Sequence, residues 1–392
     1  MLKNLIHFVF GYIEYVLIRI IPGKKIGGKR KVLFLRLDAL GDFMIWLSPA
    51  ESLSGYYRDA GYDITLAADS RWVSLASIFP FWDHIVPVDT EKFRRNLFYR
   101  LKSLYQFKRM NFTVVINPTR SRRYWIDDAI VTAAQAPVSI GISGDCSNQP
   151  SAAPIKADRY YSRLSHVDTI NDHELLAGYD FSSFVTAKRV PANVIALSHY
   201  LPPKKMIPTP YFLVCPGSGS EARRRWSDKK FAAIIDLIIA KTGWQCVISG
   251  NQNEQALCER INAQSQYDNT VWCQLTLPDF VAAVAQTELL LGNESSGSHI
   301  AIACRTPSVV ILGRGHFGRF QPYPADVLDD EAMHPCVYQD DPCHWCNWDC
   351  DHPAAGTANA FPCIEAIGVE QVWQKTAAVI DSITTSQPGT NR

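Results

Sequence analysis

At 392 residues, 47% hydrophobic and 20% charged, the chain is long enough to bury the cores of two ordinary domains, which excludes a disordered polypeptide. Its 39 basic and 38 acidic residues leave a net charge of +1, which excludes the global positive field of a nucleic-acid binder and confines any anion site to a local cluster. Residues 1–29 come first. On a helical wheel Lys3, His7, Gly11 and Glu14 form one narrow polar stripe on an otherwise apolar and aromatic cylinder. A spanning helix would carry Glu14 at its centre at high cost, so the expectation is an amphipathic helix lying in a membrane surface. The basic "GKKIGGKRK" after it suits anionic headgroups. A spanning helix, or one docked on the protein's own core, is the alternative. No small-residue cleavage site follows this segment, so an export signal is not expected and a reducing, cytoplasmic setting is.

From residue 30 onward, short β-branched runs alternate with longer helix-period segments, the pattern of parallel α/β units. "KVLFLRL", "YDITLAAD", "HIVPVD", "FTVVINP" and "PVSIGIS" form one series. "YFLVCPGSGS", "WQCVISGNQ", "TVWCQL", "TELLLGNESSGS" and "TPSVVILGRG" form a second. A proline-rich stretch at 187–210 separates them and reads as a linker. The expected organisation is therefore an N-terminal doubly wound domain over 30–186, a second over 211–366 with a cysteine-rich loop at 336–363, and a helix over 367–385 that packs back on the body. Open parallel sheets bind ligands at the carboxyl ends of their strands, so a cleft lined by both domains is the expected site.

Three strand ends carry candidate chemistry. In "FLRLDALGDFMIW" the first strand runs into Asp38 and then Gly41–Asp42, where a helix is expected to begin. One carboxylate is read as capping or bracing the turn, and the other as a candidate general base. In "CPGSGSEARRRWSDKKF", Ser218, Gly219 and Ser220 offer amides and hydroxyls that suit phosphate oxygens, with Arg223, Arg224 and Arg225 beside them and Trp226 pinning the loop. In "LLLGNESSGSHIAIACRTP" a buried strand runs into Glu294, Ser295, Ser296, Gly297 and Ser298 at the start of a helix, a second place for an anion. Neither loop matches the Walker or dinucleotide patterns, and together they could grip a diphosphate from two sides.

Eleven cysteines are present, and five of them crowd into 336–363: Cys336, Cys343, Cys346, Cys350 and Cys363. The spacing Cys343-x2-Cys346-x3-Cys350 is ligand-like. A structural zinc held by Cys336, Cys343, Cys346 and Cys350, with Cys363 as alternative ligand, is the leading expectation. Disulfides, unligated thiols or an iron–sulfur cluster are the alternatives.

In this order, "RLDALGDFMIWLSPA", "CPGSGSEARRRWSDKKFAAII" and "GNESSGSHIAIACRTPSVVILG" resemble glycosyltransferase family 9, the heptosyltransferase family of bacterial lipopolysaccharide assembly. The resemblance implies a GT-B fold of two Rossmann-like domains, with acceptor on the first and nucleotide-sugar donor on the second. It also implies inverting transfer without a catalytic metal. The family's catalytic Asp falls on Asp42. Its donor-phosphate contacts fall on Ser218, Gly219 and Ser220 and on Ser296, Gly297 and Ser298. The basic residue before the Trp, usually Lys, is Arg225 here, and Glu294-Ser295-Ser296 stands where the family has Asp-Thr-Gly. The implied partners are ADP-heptose or a similar donor, a glycan or glycolipid acceptor and the cytoplasmic face of the bacterial inner membrane, with no nucleic acid. Two rival readings are a non-catalytic GT-B protein that binds glycan or nucleotide, and a nucleotide-sugar epimerase of the same fold.

Overall fold

The computed structural model describes residues 28–145, 157–166, 173–201, 207, 210–219, 221–340, 343, 345–356 and 360–385. The amphipathic helix expected before residue 28 lies outside the described residues, as does Ser220. The chain divides into two compact units, 1–192 and 193–392, and the division falls inside the stretch read as a linker.

In unit 1 the apolar runs form a six-stranded sheet. Its strands are β1 (Lys31–Arg36), β2 (Asp63–Asp69), β3 (His84–Val88), β4 (Val114–Asn117), β5 (Val138–Ile142) and β6 (Arg163–Ser165), in the order β3-β2-β1-β4-β5-β6. Every pairing is parallel, with Phe34 opposite both Leu66 and Ile116. Parallel strands covered on both faces are apolar throughout, and for this reason "VLFL" is continuous rather than alternating. The chain reverses its direction of winding between β1 and β4, and such a switch point opens a crevice beyond the strand ends. After β1 comes helix α1 (Leu40–Asp59), whose inner face carries Phe43 stacked on Trp72 at 4.2 Å and Trp46 on Trp82 at 5.8 Å.

Unit 2 repeats the design with β7 (Tyr211–Cys215), β8 (Gln245–Ser249), β9 (Thr270–Trp272), β10 (Leu289–Asn293), β11 (Ser308–Ile311) and β12 (Cys336–Val337). Their order, β12-β11-β10-β7-β8-β9, places the switch point between β7 and β10, and all pairings are again parallel. At that seam Gly292 lies so close to the Cys215 carbonyl that a side-chain carbon would stand 2.5 Å from its oxygen. Only glycine lets the two strands meet there. Helix α2 (Asp228–Thr242) follows the β7 loop, and α3 (Ser296–Cys304) follows β10. Helix α4 (Val369–Thr385) buries Val372, Val379, Ile380 and Ile383 in the core of unit 2. Thr376, though polar, is fully buried with them because its hydroxyl donates to the Val372 carbonyl at 2.7 Å.

Trp226 anchors the loop that precedes α2. It is 1% exposed, its indole N–H donates to the Ile367 carbonyl at 2.9 Å, and its ring meets Phe231 edge-on. Trp226→Ala should cost about 3–5 kcal/mol through the cavity it leaves, read as a lowered urea midpoint; an unchanged midpoint would show that the loop is not pinned by this ring.

Candidate functional site

In unit 1 the β1 strand end is built from paired charges. Helix α1 begins at Leu40 with Ala39 as its N-cap, so the N-cap position itself carries no polar side chain and an ion pair braces the turn. Arg36, buried at the end of β1, places its Nε 3.0 Å from Asp38 Oδ1 and donates from Nη2 to the Asp42 carbonyl at 2.9 Å. The arginine thus clasps the turn that presents Asp42. The turn is held from outside by Trp72, whose indole donates to the Asp38 carbonyl at 3.1 Å, and by Arg123, which donates to the Leu37 carbonyl at 3.0 Å. Asp42 is half-buried in the first turn of α1, where the helix dipole favours a carboxylate.

The two carboxylates differ in environment. Asp38 has 18% of its side chain exposed, and burial pushes its carboxyl up from 3.8 to about 8, Arg36 opposing the rise and the neighbouring Asp42 adding to it.

A second buried network closes the end of β4 and was not anticipated. Asn117 donates to the Tyr161 hydroxyl at 2.8 Å, and that hydroxyl donates to Asp128 Oδ1 at 2.6 Å. Arg122, fully buried, lies 3.3 Å from the same oxygen and also pairs with Asp158. Burial raises Asp128 to about 6, against the pull of Arg122 and the Tyr161 hydrogen bond. The only sequence signal was a run of arginines, "RSRR", following a buried strand.

In unit 2 the two amide-rich turns leave adjacent strands and are joined by one side chain. Asn293, at the end of β10, donates from Nδ2 to the Pro216 carbonyl at 2.7 Å and accepts from the Trp226 backbone N–H at 3.1 Å. The loop after β7 is therefore tied at both its ends to β10. Within that loop Ser218 is buried and its hydroxyl donates to the Glu221 carbonyl at 2.8 Å, while Gly219 is exposed and takes a left-handed φ of 71°. After β10, Ser295 is the N-cap of α3. Ser298 turns its hydroxyl to the Ser295 carbonyl at 2.8 Å and its amide to the same oxygen. The first-turn amides of Ser296 and Gly297 have no acceptor within the helix, as at any helix start. Together the turns supply N–H groups and a dipole that can hold an anion.

The arginines of this loop diverge. Arg225 reaches only the Gly219 carbonyl, at 3.5 Å. Arg224 instead places Nη2 3.9 Å from Glu294 Oε2. Glu294 is buried, neither carboxylate oxygen has a hydrogen-bond partner, and burial pushes it up to about 7, with Arg224 pulling the other way. A buried carboxylate aimed beside two anion-binding turns is suited to hydroxyl groups rather than to phosphate.

The cysteines separate into two places. Cys336 belongs to β12, where its backbone pairs with Val310, and its thiol lies 3.6 Å from Gln321 Oε1. The Cys343 and Cys346 side chains are hydrogen-bonded. Cys350 and Cys363 act electrostatically on Cys346, and Cys343 and Cys350 act on Cys363. Among the described residues no group of three or more His, Cys, Asp or Glu side chains is placed to hold a metal ion.

The sequence model of glycosyltransferase family 9 (heptosyltransferase) matches residues 106–337, more than half of the chain. The chain belongs to glycosyltransferase family 9. As a family 9 member it is a glycosyltransferase, and its fold is that of solved relatives. It is similar to the family 9 glycosyltransferase from Veillonella parvula DSM 2008, with 14% identity over 92% of this chain and 100% of that one and a TM-score of 0.67. It is also similar to the E. coli heptosyltransferase WaaC with ADP-2-deoxy-2-fluoro heptose, with 15% identity over 91% and 100% and a TM-score of 0.62. A third likeness is to TibC from enterotoxigenic E. coli H10407, an iron-containing dodecameric glycosyltransferase, with 16% identity over 93% and 78% and a TM-score of 0.52. At these identities the likeness is one of fold, the GT-B type with two parallel six-stranded sheets. No curated protein matches the chain at the sequence level.

Asp38 also makes stability depend on pH. A carboxyl raised in the folded state keeps its proton while the unfolded chain has released it, so its contribution is lost as pH rises from about 4 to about 8. Asp38→Asn should therefore gain stability relative to the parent between about pH 5 and about pH 8 in paired urea titrations. A difference that stays constant over that window would show that Asp38 titrates as an ordinary carboxylate.

Proposed function

We propose that this family 9 enzyme is an inverting glycosyltransferase that moves heptose or a related sugar from an ADP-linked donor to a lipopolysaccharide-type or other cell-surface glycan acceptor. The observation that carries the donor half is the pair of amide-rich turns beyond β7 and β10, tied into one structure by Asn293. In this reading the diphosphate takes the amides of Ser218, Gly219 and Ser220, the Ser220 hydroxyl and the helix start at Ser296 and Gly297, with Ser298 closing the second turn. Arg225 and Arg224 supply positive charge, and Glu294 meets sugar hydroxyls. An ADP-heptose analogue in WaaC supports the choice of donor class.

The reaction is a single displacement. Asp42 takes the proton of an acceptor hydroxyl, that oxygen forms a bond to the anomeric carbon, and the carbon–oxygen bond to the diphosphate breaks with inversion. Negative charge developing on the leaving phosphate is stabilised by the fixed amides and Arg225, which need no reorganisation as it appears. Arg36 holds the turn that carries Asp42.

Cys343, Cys346, Cys350 and Cys363 would hold a structural zinc or iron, whose chemistry is to cross-link the loop. TibC, named as iron-containing, supports that reading. The metal has no part in the displacement. The enzyme is placed at the cytoplasmic face of the inner membrane as a peripheral protein, and among the described residues no helix is long and apolar enough to cross a membrane.

Asp42→Ala should bind donor as the parent does and lose about 10²- to 10⁴-fold in transfer rate, the range for a positioned general base. Full transfer by that variant would remove Asp42 from the mechanism. Arg225→Ala should weaken donor binding and turnover together, measured by nucleotide titration and acceptor-dependent nucleotide release; unaltered binding would count against its place at the diphosphate.

A further inference from the structure

We propose that Trp348, carried by the cysteine-rich loop, is a positioning residue for nucleotide binding: its indole holds the Arg224 guanidinium at the turn beyond β10. The proposal rests on the donor site described above and assigns to a distant loop the task of shaping it.

Two consecutive arginines of the β7 loop are held by aromatic side chains of the cysteine-rich region. Arg223 lies over Phe361 with its Cζ 4.2 Å from the ring centroid, and the Phe361 backbone N–H donates to the Arg223 carbonyl at 2.7 Å. Arg224 lies over Trp348 at 4.3 Å and extends its Nη2 to within 3.9 Å of Glu294. Arg225, the next residue, has no such aromatic seat. A π face holds a guanidinium by its flat side without neutralising it, so the N–H edges keep their capacity for phosphate or hydroxyl oxygens. A carboxylate partner alone would not do this.

The indole is itself fixed on several sides. Its N–H donates to His316 Nδ1 at 3.2 Å, and His316 Nε2 meets Asn347 Oδ1 at 2.6 Å, so the imidazole is neutral with its hydrogen on Nε2. Gly313 and Gly315 line it, and a side-chain carbon at either would stand 2.5 Å from an indole atom. Main-chain bonds from Trp345 N–H to the Arg314 carbonyl at 3.2 Å and from Asn347 N–H to the Gly315 carbonyl at 3.1 Å dock the loop on the turn after β11. Trp345, Asn347 and Trp348 all take left-handed φ, at 61°, 48° and 64°, a conformation that residues with a Cβ rarely adopt. Three such residues in four persist only where their surroundings hold them.

The test is calorimetric titration of ADP into the full-length protein. Trp348→Leu should weaken ADP binding about ten-fold, while Trp348→Phe, which keeps a π face, should retain most of the affinity. Trp348→Met keeps the bulk without the π face and carries the comparison if leucine does not fold. In the Arg224→Ala background, removing Trp348 should cost nothing further, because the ring acts through that arginine. In steady-state assays the loss should fall on the donor KM with kcat retained. Parental affinity in the folded Leu or Met variant, or losses that add independently in the double variant, would overturn the proposal. A parent protein that binds no ADP would overturn the donor-site reading instead, and the proposal with it.

Discussion

One buried amide organises unit 2. Asn293 sits where β10 ends, and by bonding to Pro216 on one side and to the Trp226 main chain on the other it holds both ends of the β7 loop at the strand that carries the second turn. Side-chain amides are rarely buried unless fully used, and this one spends a donor and the acceptor on backbone groups that would otherwise be orphaned. The Gly292 contact with Cys215 brings the two strands close enough for it to reach. Everything proposed for the diphosphate depends on that spacing, because two sets of amides grip one ligand only if their separation is fixed before it arrives.

Unit 1 uses charge where unit 2 uses an amide. The turn after β1 is held by Arg36, Trp72 and Arg123 bonding to its carbonyls. Arginine suits this work because its several donors can serve an ion pair and a carbonyl at once. The two carboxylates of "LDALGD" are thereby made unequal: Asp38 is drawn to Arg36 and its carboxyl is raised by burial, while Asp42 takes the helix start.

Much of this was legible in the residues. Strands buried on both faces must be apolar, so "KVLFLR" and "YFLVC" declare themselves, and small residues after them mark turns where the backbone is bare. What stayed hidden depends on contacts between distant parts of the chain. Helix periodicity could not tell that the turn at Asp38 is closed by arginine and tryptophan. Of the three consecutive arginines, Arg223 and Arg224 are directed by the aromatic rings of residues 361 and 348, which local sequence does not show. Ligand spacing favoured Cys336 for the sulfur set. Backbone pairing with β11 sets Cys336 in the sheet and Cys363, thirteen residues beyond Cys350, lies in a short helix, and no local spacing shows either placement. The Asn117–Tyr161–Asp128 network joins residues up to 44 positions apart and left no local pattern to read.

The central claim is that the turns beyond β7 and β10 form one diphosphate site. A crystal structure of the full-length protein with an unreactive ADP-linked sugar tests it most directly. The account predicts phosphate oxygens within hydrogen-bonding distance of the amides that follow Pro216 and of those of Ser296 and Gly297. A diphosphate seated away from either turn would contradict it.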